Sequence, residues 1–502
     1  MHTFNLFRII DPIFTYRLGA ERIYRLPLLI AYVAVCCGLA LVLSKLGILV
    51  GAGLIGIPFA GAFLVWVFQS PGVAVVSMLY LSFFATGITR YVPAPLGLGI
   101  DGLLTLGWVA LLLRRFRYTD WRPMQHDFNL MALLWFGWLV IELFNPEAVS
   151  KTAWFYAMRG MGFYTLLTFG LVFMLWREPR HVTRLLHIIF IVSVLGSLWG
   201  LRQKIFGVDA AEHRWLYVGG NAETHVLFGV LRVFSFYSDA GQFGASQAMV
   251  CLMAGIMFLG PVSFRQRLYF GGVALMTLIG FGISGTRGAL AVPGAGAILY
   301  LVLSKNFKLL TLGLVAMGTI YYILRFTFMF QGVEQVRRMR TGLDPDNPSL
   351  QVRFRNQVAF RHYLETRPMG GGVGSAGFWG RRFSPGTFLA ETATDSWYVK
   401  IWAETGIIGL CLHVFTLGYM LGRGCYIVWH IRDPVLQTQL NALLSGYFGV
   451  VVASFGNQVF GQVPTGSIIF LSLPLIALGP ELDEKLRSQR SEVRSARRPV
   501  RG

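Results

Sequence analysis

Basic side chains gather in the longest polar stretch of this sequence, and their chemistry suits an anionic ligand. This stretch, residues 329–397, carries Arg353 and Arg355 and ends beside Asp395. A guanidinium binds phosphate oxygens through parallel hydrogen bonds, whereas a carboxylate either caps a helix or acts as a general base. The residue types therefore predict a site that holds an anion, with Asp395 as helix cap or as base.

A second basic group, Arg287, lies in a short turn between two apolar runs, within SGTRGAL. An arginine drawn toward the middle of a bilayer costs about 2.5–3.5 kcal/mol, so it usually has a partner or a task. Its small neighbours leave room for a ligand and supply hydroxyl and amide donors. The alternative is a turn residue that extends its charge to the membrane surface.

Two further arginines lie next to, or inside, apolar segments. Arg232 precedes such a segment, near Asp239 and Gln242, and is expected to face the same surface as Arg287. Asp239 itself is better explained as the N-cap of the next helix. Arg159 is deeper in its apolar run, where it either reaches the rim or lines a cavity.

The large loop contains an arginine-rich segment followed by a glycine run. Arg353, Arg355 and Arg361 fall near helical spacing, which predicts an amphipathic helix on the membrane surface. Its inward residues are predicted to be Phe354, Val358 and Tyr363. The run GGGVG (370–374) predicts a flexible turn that admits a bulky ligand. It lacks the Lys-Ser/Thr of a nucleotide loop, so ATP binding is not supported, and Glu404 is expected to be structural.

The composition is that of an integral membrane protein. Of 502 residues, 55% are hydrophobic and 14% are charged, against about 25% charged in soluble domains. Much of the basic excess behind the formal net charge of +20 falls in short loops, where it sets topology, so no nucleic-acid partner is expected. Four of the five cysteines lie in apolar runs and none lies in the large loop, so neither a disulfide nor a zinc site is indicated.

Apolar runs of about 17–25 residues are long enough to cross a bilayer as helices, and fourteen are predicted here. The predicted spans are 27–44, 47–68, 72–89, 98–113, 128–144, 156–176, 185–204, 241–259, 268–284, 288–304, 308–328, 398–421, 437–455 and 464–480. The fold class is therefore all-α and polytopic, with short helices in the large outward loop.

The positions of Lys and Arg in the short loops predict the orientation. With an even number of spans, both termini are cytoplasmic, and the loops rich in Lys and Arg share their side. Loops 205–240, 329–397 and the short 456–466 then face outward. The predicted regions are an interfacial segment 1–26, eleven spans in 27–328, the large loop 329–397, three spans in 398–480 and a basic tail 481–502. That tail is expected to be disordered, near anionic lipid headgroups.

Four motifs in this order resemble the O-antigen ligase and O-antigen polymerase superfamily of bacterial envelope glycosyltransferases. The family's Ser-x-Thr/Ser-Arg-Gly turn matches residues 284–288. Its earlier Arg…Ser…Asp-Pro-Asn-x-Phe-Gly segment is similar to residues 232–244, although Ala240 and Gly241 replace Pro and Asn.

The other two motifs fall in the large loop and at its end. An Arg, a Pro and a Gly-x-Gly resemble Arg353 or Arg355, Pro368 and residues 372–374. The family's His-Asn-x-Tyr-Leu and Glu-x-Gly are similar to residues 395–399 and 404–406. Asp395 stands where the ligases carry His. An acidic residue at this position makes the motif more similar to that of the polymerases.

The resemblance implies a glycosyltransferase at the outer face of a bacterial inner membrane. Its donor would be a glycan on a polyprenyl diphosphate and its acceptor a sugar or lipid, with no metal or nucleotide cofactor. Asp395 would be the base, and Arg287 would act in catalysis and in holding the diphosphate. The other diphosphate-binding residues would be Arg232, Arg353, Arg355 and Arg159.

Three alternatives remain open on the sequence. A ligase would transfer the glycan to a lipid A-core or protein acceptor instead of extending it. A transporter or flippase for a lipid-linked sugar would need ionisable residues along a path through the membrane, whereas the charge here is concentrated at the outer rim. A peptidoglycan-type glycosyltransferase of similar topology would also use an outward acidic residue.

Overall fold

The computed structural model describes residues 48–92, 94–115, 120–227, 229–329 and 348–496, with isolated residues between 33 and 38 and between 331 and 340. The chain divides into two units, Met1–Ser70 and Pro71–Gly502. The predicted interfacial segment 1–26 and most of the first predicted span lie outside the described residues. In the first unit, helix α1 (Ile48–Gln69) occupies the second predicted span.

The second unit is built almost wholly from helices, which are numbered on from α1 in chain order. The helices of the first part are α2 (Gly72–Ile88), α3 (Gly97–Arg115), α4 (Asp127–Ile141), α5 (Lys151–Met158), α6 (Tyr164–Leu175) and α7 (Pro179–Phe206). Those that follow are α8 (Ala240–Leu259), α9 (Phe264–Ser284), α10 (Ala291–Leu303), α11 (Phe307–Phe326), α12 (Pro348–Leu364) and α13 (Gly377–Phe383). The last four are α14 (Trp397–His430), α15 (Pro434–Ala453), α16 (Thr465–Ala477) and α17 (Gly479–Ala496).

The segment between α7 and α8 contains two short β-strands, which form the one sheet among the described residues. Strand β1 (Val226–Leu227) runs antiparallel to β2 (Val230–Leu231). Short helical segments occur between the longer helices. They are Arg122–Met124, Glu142–Phe144, Arg159–Phe163, Ala210–His213, Arg214–Val218, Ala222–His225, Arg287–Leu290 and Phe388–Glu391.

The apolar helices are those of an all-α protein embedded in a membrane. Within the described part of the chain, 8 helices are long and apolar enough to cross, or 9 if the bent pair α16–α17 forms one span. Four shorter apolar helices, at Gly56–Gln69, Gly72–Ile88, Gly97–Leu113 and Arg287–Leu303, fall on further predicted spans. The total of fourteen spans stays a prediction.

Helix α8 is the most buried of the long helices because small residues line it. It packs against α9, α10 and α15, and its first turns are fully enclosed. Helices α10 and α15 approach closely at Gly296 and Gly449, where a Cβ would collide with backbone atoms of the facing helix. Small residues allow such close backbone approach in membrane bundles, where van der Waals packing drives association.

Ion pairs join segments that the charge pattern assigns to the cytoplasmic side. Arg423 Nε lies 3.1 Å from Asp127 Oδ2, and Arg177 Nη2 lies 3.0 Å from Glu481 Oε2. The prediction of a disordered tail at 481–502 is corrected, because α17 runs to Ala496. The ion pair between Lys485 and Glu481, at 2.7 Å across one helical turn, helps to stabilise it.

Candidate functional site

The centre of the candidate site is a close pair formed by Asp395 and Arg353. Asp395 precedes α14 by two residues, whereas Arg353 lies in the second turn of α12. Arg353 Nε is 4.0 Å from Asp395 Oδ2, and the two side chains are 39% and 43% exposed. The two side chains are therefore close together and accessible to a ligand.

The backbone of Asp395 is in the left-handed region, with a φ of 42°, and contacts on both sides hold it there. Gln458 Nε2 donates to Thr394 Oγ1 at 2.6 Å. On the other side, Trp397 N donates to the carbonyl oxygen of Ser454 at 3.0 Å. The loop 454–466 thus clamps the segment that presents the carboxylate.

The same loop lies between Arg353 and the turn that carries Arg287. A Cβ built on Gly456 would be 3.7 Å from Arg353 Nη1, and one on Gly288 would be 3.9 Å from Gly456 O. The turn itself begins with Gly285, whose φ of 61° ends α9 and reverses the chain. Arg287 is half-buried at the start of the short helix that follows.

Arg232 joins the cluster through Thr286, the residue before Arg287. Arg232 Nη2 donates to Thr286 Oγ1 at 3.3 Å, and that hydroxyl donates to Ala240 O at 2.7 Å. Asp239 caps α8 by accepting a hydrogen bond from Gln242 N at 3.0 Å, as predicted.

The loop 454–466 also contacts the first turn of α8. Gln242 Nε2 donates to Thr465 Oγ1 at 2.9 Å and to Gln462 O at 3.2 Å. A Cβ on Gly241 would lie 2.7 Å from Asn457 Nδ2. The sequence predicted this loop only as a short outward connection, yet it contacts the segment around Asp395 and the start of α8 and lies beside Arg353 and the Arg287 turn. Its density of Asn, Gln and Gly between two apolar spans was the available signal.

Two predicted diphosphate-binding residues are placed differently from the rest. Arg355 is exposed and, two positions after Arg353, points to nearly the opposite side of α12. Arg159 forms an ion pair with Asp101 at 2.6 Å and is only 12% exposed. It begins a π-helical segment, and π-bulges are frequent at functional sites.

The glycine run corrects a prediction. Residues 370–376 are buried, and a Cβ on Gly372 or Gly374 would lie 2.5 Å from Ala148 Cβ or Ala153 O, respectively. The run is therefore not a flexible turn that admits a ligand, because its glycines permit close packing instead. Glu404 is fully buried and accepts a hydrogen bond from Gly374 N at 2.9 Å, so it holds the glycine run against α14.

The inward face of α12 also differs from the prediction. Phe354 and Val358 are 48% and 68% exposed, whereas Phe360 and Leu364 are buried and Tyr363 is half-buried. Phe360 and Leu364 are four residues apart, so they share one face and pack into a small core with Val399 and Ala403 of α14. Counting apolar residues alone does not reveal which face meets α14.

The site is basic, and one buried histidine, His225, lies beside it. Burial lowers the pKa of His225 below its ordinary value, and the positive charges of Arg90 and Arg232 add to that effect. The carbonyl oxygen of His225 accepts a hydrogen bond from Arg232 N at 2.8 Å. Among the described residues, no three His, Cys, Asp or Glu side chains are grouped to hold a metal ion.

The arrangement combines arginines with one exposed carboxylate, so it can bind an anion and accept a proton beside it. Comparison with known proteins finds neither a family model nor a curated protein that matches the chain. The superfamily resemblance therefore remains a prediction based on its four motifs.

Proposed function

We propose that the protein is an inverting glycosyltransferase of the O-antigen or exopolysaccharide polymerase type. It would move a glycan from a polyprenyl-diphosphate carrier to an acceptor sugar at the outer face of a bacterial inner membrane. The observation that carries the proposal is the Arg353–Asp395 pair, at 4.0 Å, which lies beside the same loop as the Arg287 turn. An arginine-lined site with one accessible carboxylate suits a reaction that needs a base and releases a diphosphate.

In the proposed reaction, a hydroxyl oxygen of the acceptor sugar attacks the anomeric carbon of the donor. The new carbon–oxygen bond forms as the bond to the diphosphate oxygen breaks, with inversion in a single displacement. Asp395 accepts the hydroxyl proton, and the diphosphate leaves with the bonding electron pair. Arg353, Arg287 and Arg232 stabilise the charge that develops on it, and electrostatic stabilisation of this kind supplies much of the rate enhancement in many enzymes.

Polymerisation is favoured over ligation because position 395 is Asp, whereas the ligases that this chain resembles carry His there. The same proposal assigns both termini to the cytoplasm and the site to the periplasm. No resident metal or cofactor is part of the proposed reaction, and the carrier's diphosphate is the activated leaving group.

Purified protein in lipid vesicles, given a polyprenyl-diphosphate oligosaccharide as sole substrate, tests the proposal. A ladder of longer lipid-linked glycans is expected. Transfer that occurs only when a separate lipid or protein acceptor is added would identify a ligase instead. Movement of the intact donor across the vesicle membrane without any new glycosidic bond would contradict transferase activity and favour a flippase.

A further inference from the structure

A cavity of about 440 Å³ lies between the end of α2 and the second half of α7. Its walls are mostly apolar. They include Phe84, Ile88, Leu195, Leu198, Trp199 and Phe236. None of these residues belongs to the Arg353–Asp395 cluster, so the cavity is a separate feature of the outward end of these helices.

The charged groups at one end of the cavity are already engaged by the protein. Glu212 is fully buried and accepts hydrogen bonds from Trp199 Nε1 at 3.0 Å and from Arg202 Nη1 at 2.7 Å. Tyr91 donates to Asp209 at 2.5 Å. Ion pairs and hydrogen bonds of this kind leave little charge to attract a polar ligand.

The guanidinium of Arg90, at the same end, is held by neighbouring groups. It lies 4.4 Å from the ring centres of both Trp215 and Phe234, and Nη1 donates to Ser235 O at 2.6 Å. Burial lowers its pKa to about 10. The charged groups at this end of the cavity are bound to other groups of the protein, and the walls are apolar. The cavity therefore suits a hydrocarbon chain better than a polar headgroup.

The open side of the cavity faces outward from the helices. Ile88, Leu195 and Leu198 are 43%, 48% and 49% exposed. Helix α7 is long and apolar enough to cross a membrane, so these side chains would meet lipid. A hydrocarbon chain can thus enter sideways, without leaving the bilayer.

One segment of chain, residues 232–236, links the cavity wall to the candidate site. Phe236 forms part of the cavity wall, and Arg90 holds the carbonyl oxygen of Ser235. The same segment carries Arg232, which contacts Thr286 of the Arg287 turn. A lipid whose tail lies in the cavity would therefore have its headgroup near these arginines.

We propose that this cavity binds the polyprenyl tail of the donor and so positions its diphosphate. The inference rests on the proposed function. Lipid tails are as apolar as the cavity walls, so the gain comes from packing and orientation and not from the hydrophobic effect. Filling the cavity should therefore weaken binding of a long-chain donor modestly and leave the chemical step intact.

Leu198→Trp narrows the cavity, and Ile191→Trp is the matched control, since Ile191 is 54% exposed on the same helix but does not line the cavity. Each variant is assayed with two donors that carry the same glycan, one on a full-length polyprenyl diphosphate and one on a short-chain analogue. Leu198→Trp should raise KM for the long-chain donor about 5- to 10-fold and for the short-chain donor less than about 2-fold, with kcat preserved. Ile191→Trp should change neither.

Equal effects of Leu198→Trp on both donors, or no effect, would overturn the assignment, since a cavity occupied by bulk phospholipid does not discriminate donor length. Wild-type protein is also photolabelled with a polyprenyl diphosphate that carries a diazirine near the head end. Label in a peptide containing residues 195–202 is expected, and label confined to other peptides would contradict the assignment even if Leu198→Trp fails to fold. Wild-type protein that transfers from neither donor would contradict the proposed function and not the cavity alone.

Discussion

At the scale of single residues, the conformation of Asp395 is as informative as its charge. A left-handed backbone costs most residues about 1–2 kcal/mol, although Asp tolerates it better than most. Such conformations persist where surrounding contacts enforce them, and they cluster at functional sites. Here Gln458 holds Thr394, and Ser454 holds Trp397, so the carboxylate is aimed by its neighbours.

The first prediction concerns this clamp. Thr394→Val removes the acceptor for Gln458, whereas Thr394→Ser keeps the hydroxyl. Loss of one such hydrogen bond at a buried group costs about 1–3 kcal/mol. Misaiming the base should therefore lower kcat about 10-fold or more with little change in KM, and the serine variant should stay near wild type. Equal loss in both variants would assign the effect to packing and not to the hydrogen bond.

A second prediction separates two arginines of one helix. Arg353→Gln should lower kcat/KM by about 100-fold or more, because it removes a charge beside the reacting groups. Arg355→Gln should stay within about 3-fold, as expected of an exposed residue on another face. The measurement is initial rates with saturating acceptor and varied donor. Equal losses would show that α12 presents both guanidinium groups to the substrate.

At the scale of elements, the motifs in the large loop converge on a break in α14. The backbone of Gly406 has a φ of 65° inside that helix, and a Cβ there would collide with Pro368 O. Glu404, two residues earlier, holds Gly374. The sequence presents three separate motifs here, namely Pro368, the glycine run and Glu-x-Gly. In the structure they pack together as one unit that anchors the loop to α14.

Two glycines of that loop give a third prediction. Gly374 and Gly377 both have positive φ, but only Gly374 would place a Cβ against a neighbour, Ala153. Gly377→Ala should cost about 1–2 kcal/mol from backbone strain alone. Gly374→Ala should cost about 1–3 kcal/mol more through overpacking, seen as a lower midpoint of thermal unfolding in detergent. Equal midpoints for the two variants would show that the loop is loosely packed.

At the scale of the whole molecule, hydropathy located the helices but not their partners. The long apolar helices of the described residues fall on predicted spans, because a membrane demands long apolar runs with satisfied backbones. The site could be predicted only in part. The sequence singled out Arg232, the Arg287 turn, Arg353 and Asp395, which the structure brings near one another, but not the contacts of loop 454–466. Which loops converge depends on how helices such as α8 and α15 pack, and composition alone does not specify that.

A fourth prediction tests the orientation in a cysteine-free background. Glu365→Cys and Ser488→Cys introduce single thiols at exposed positions. The predicted orientation places Glu365 on the outer side of the membrane and Ser488 on the cytoplasmic side. A membrane-impermeant maleimide should label Glu365→Cys in intact cells, and Ser488→Cys only after the inner membrane is opened. The reverse pattern would place the Arg353–Asp395 pair in the cytoplasm and exclude an outer-face reaction.

The most direct test of the central claim is the rate of glycan transfer by the Asp395→Asn variant in vesicles, with polyprenyl-diphosphate oligosaccharide as donor. The control is Glu365→Gln, which neutralises another exposed carboxylate of the same loop. Removing a general base should lower transfer by about 100- to 10,000-fold with donor binding retained, whereas Glu365→Gln should be near wild type. Full activity of Asp395→Asn, under conditions where wild type forms the glycan ladder, would contradict the assigned mechanism.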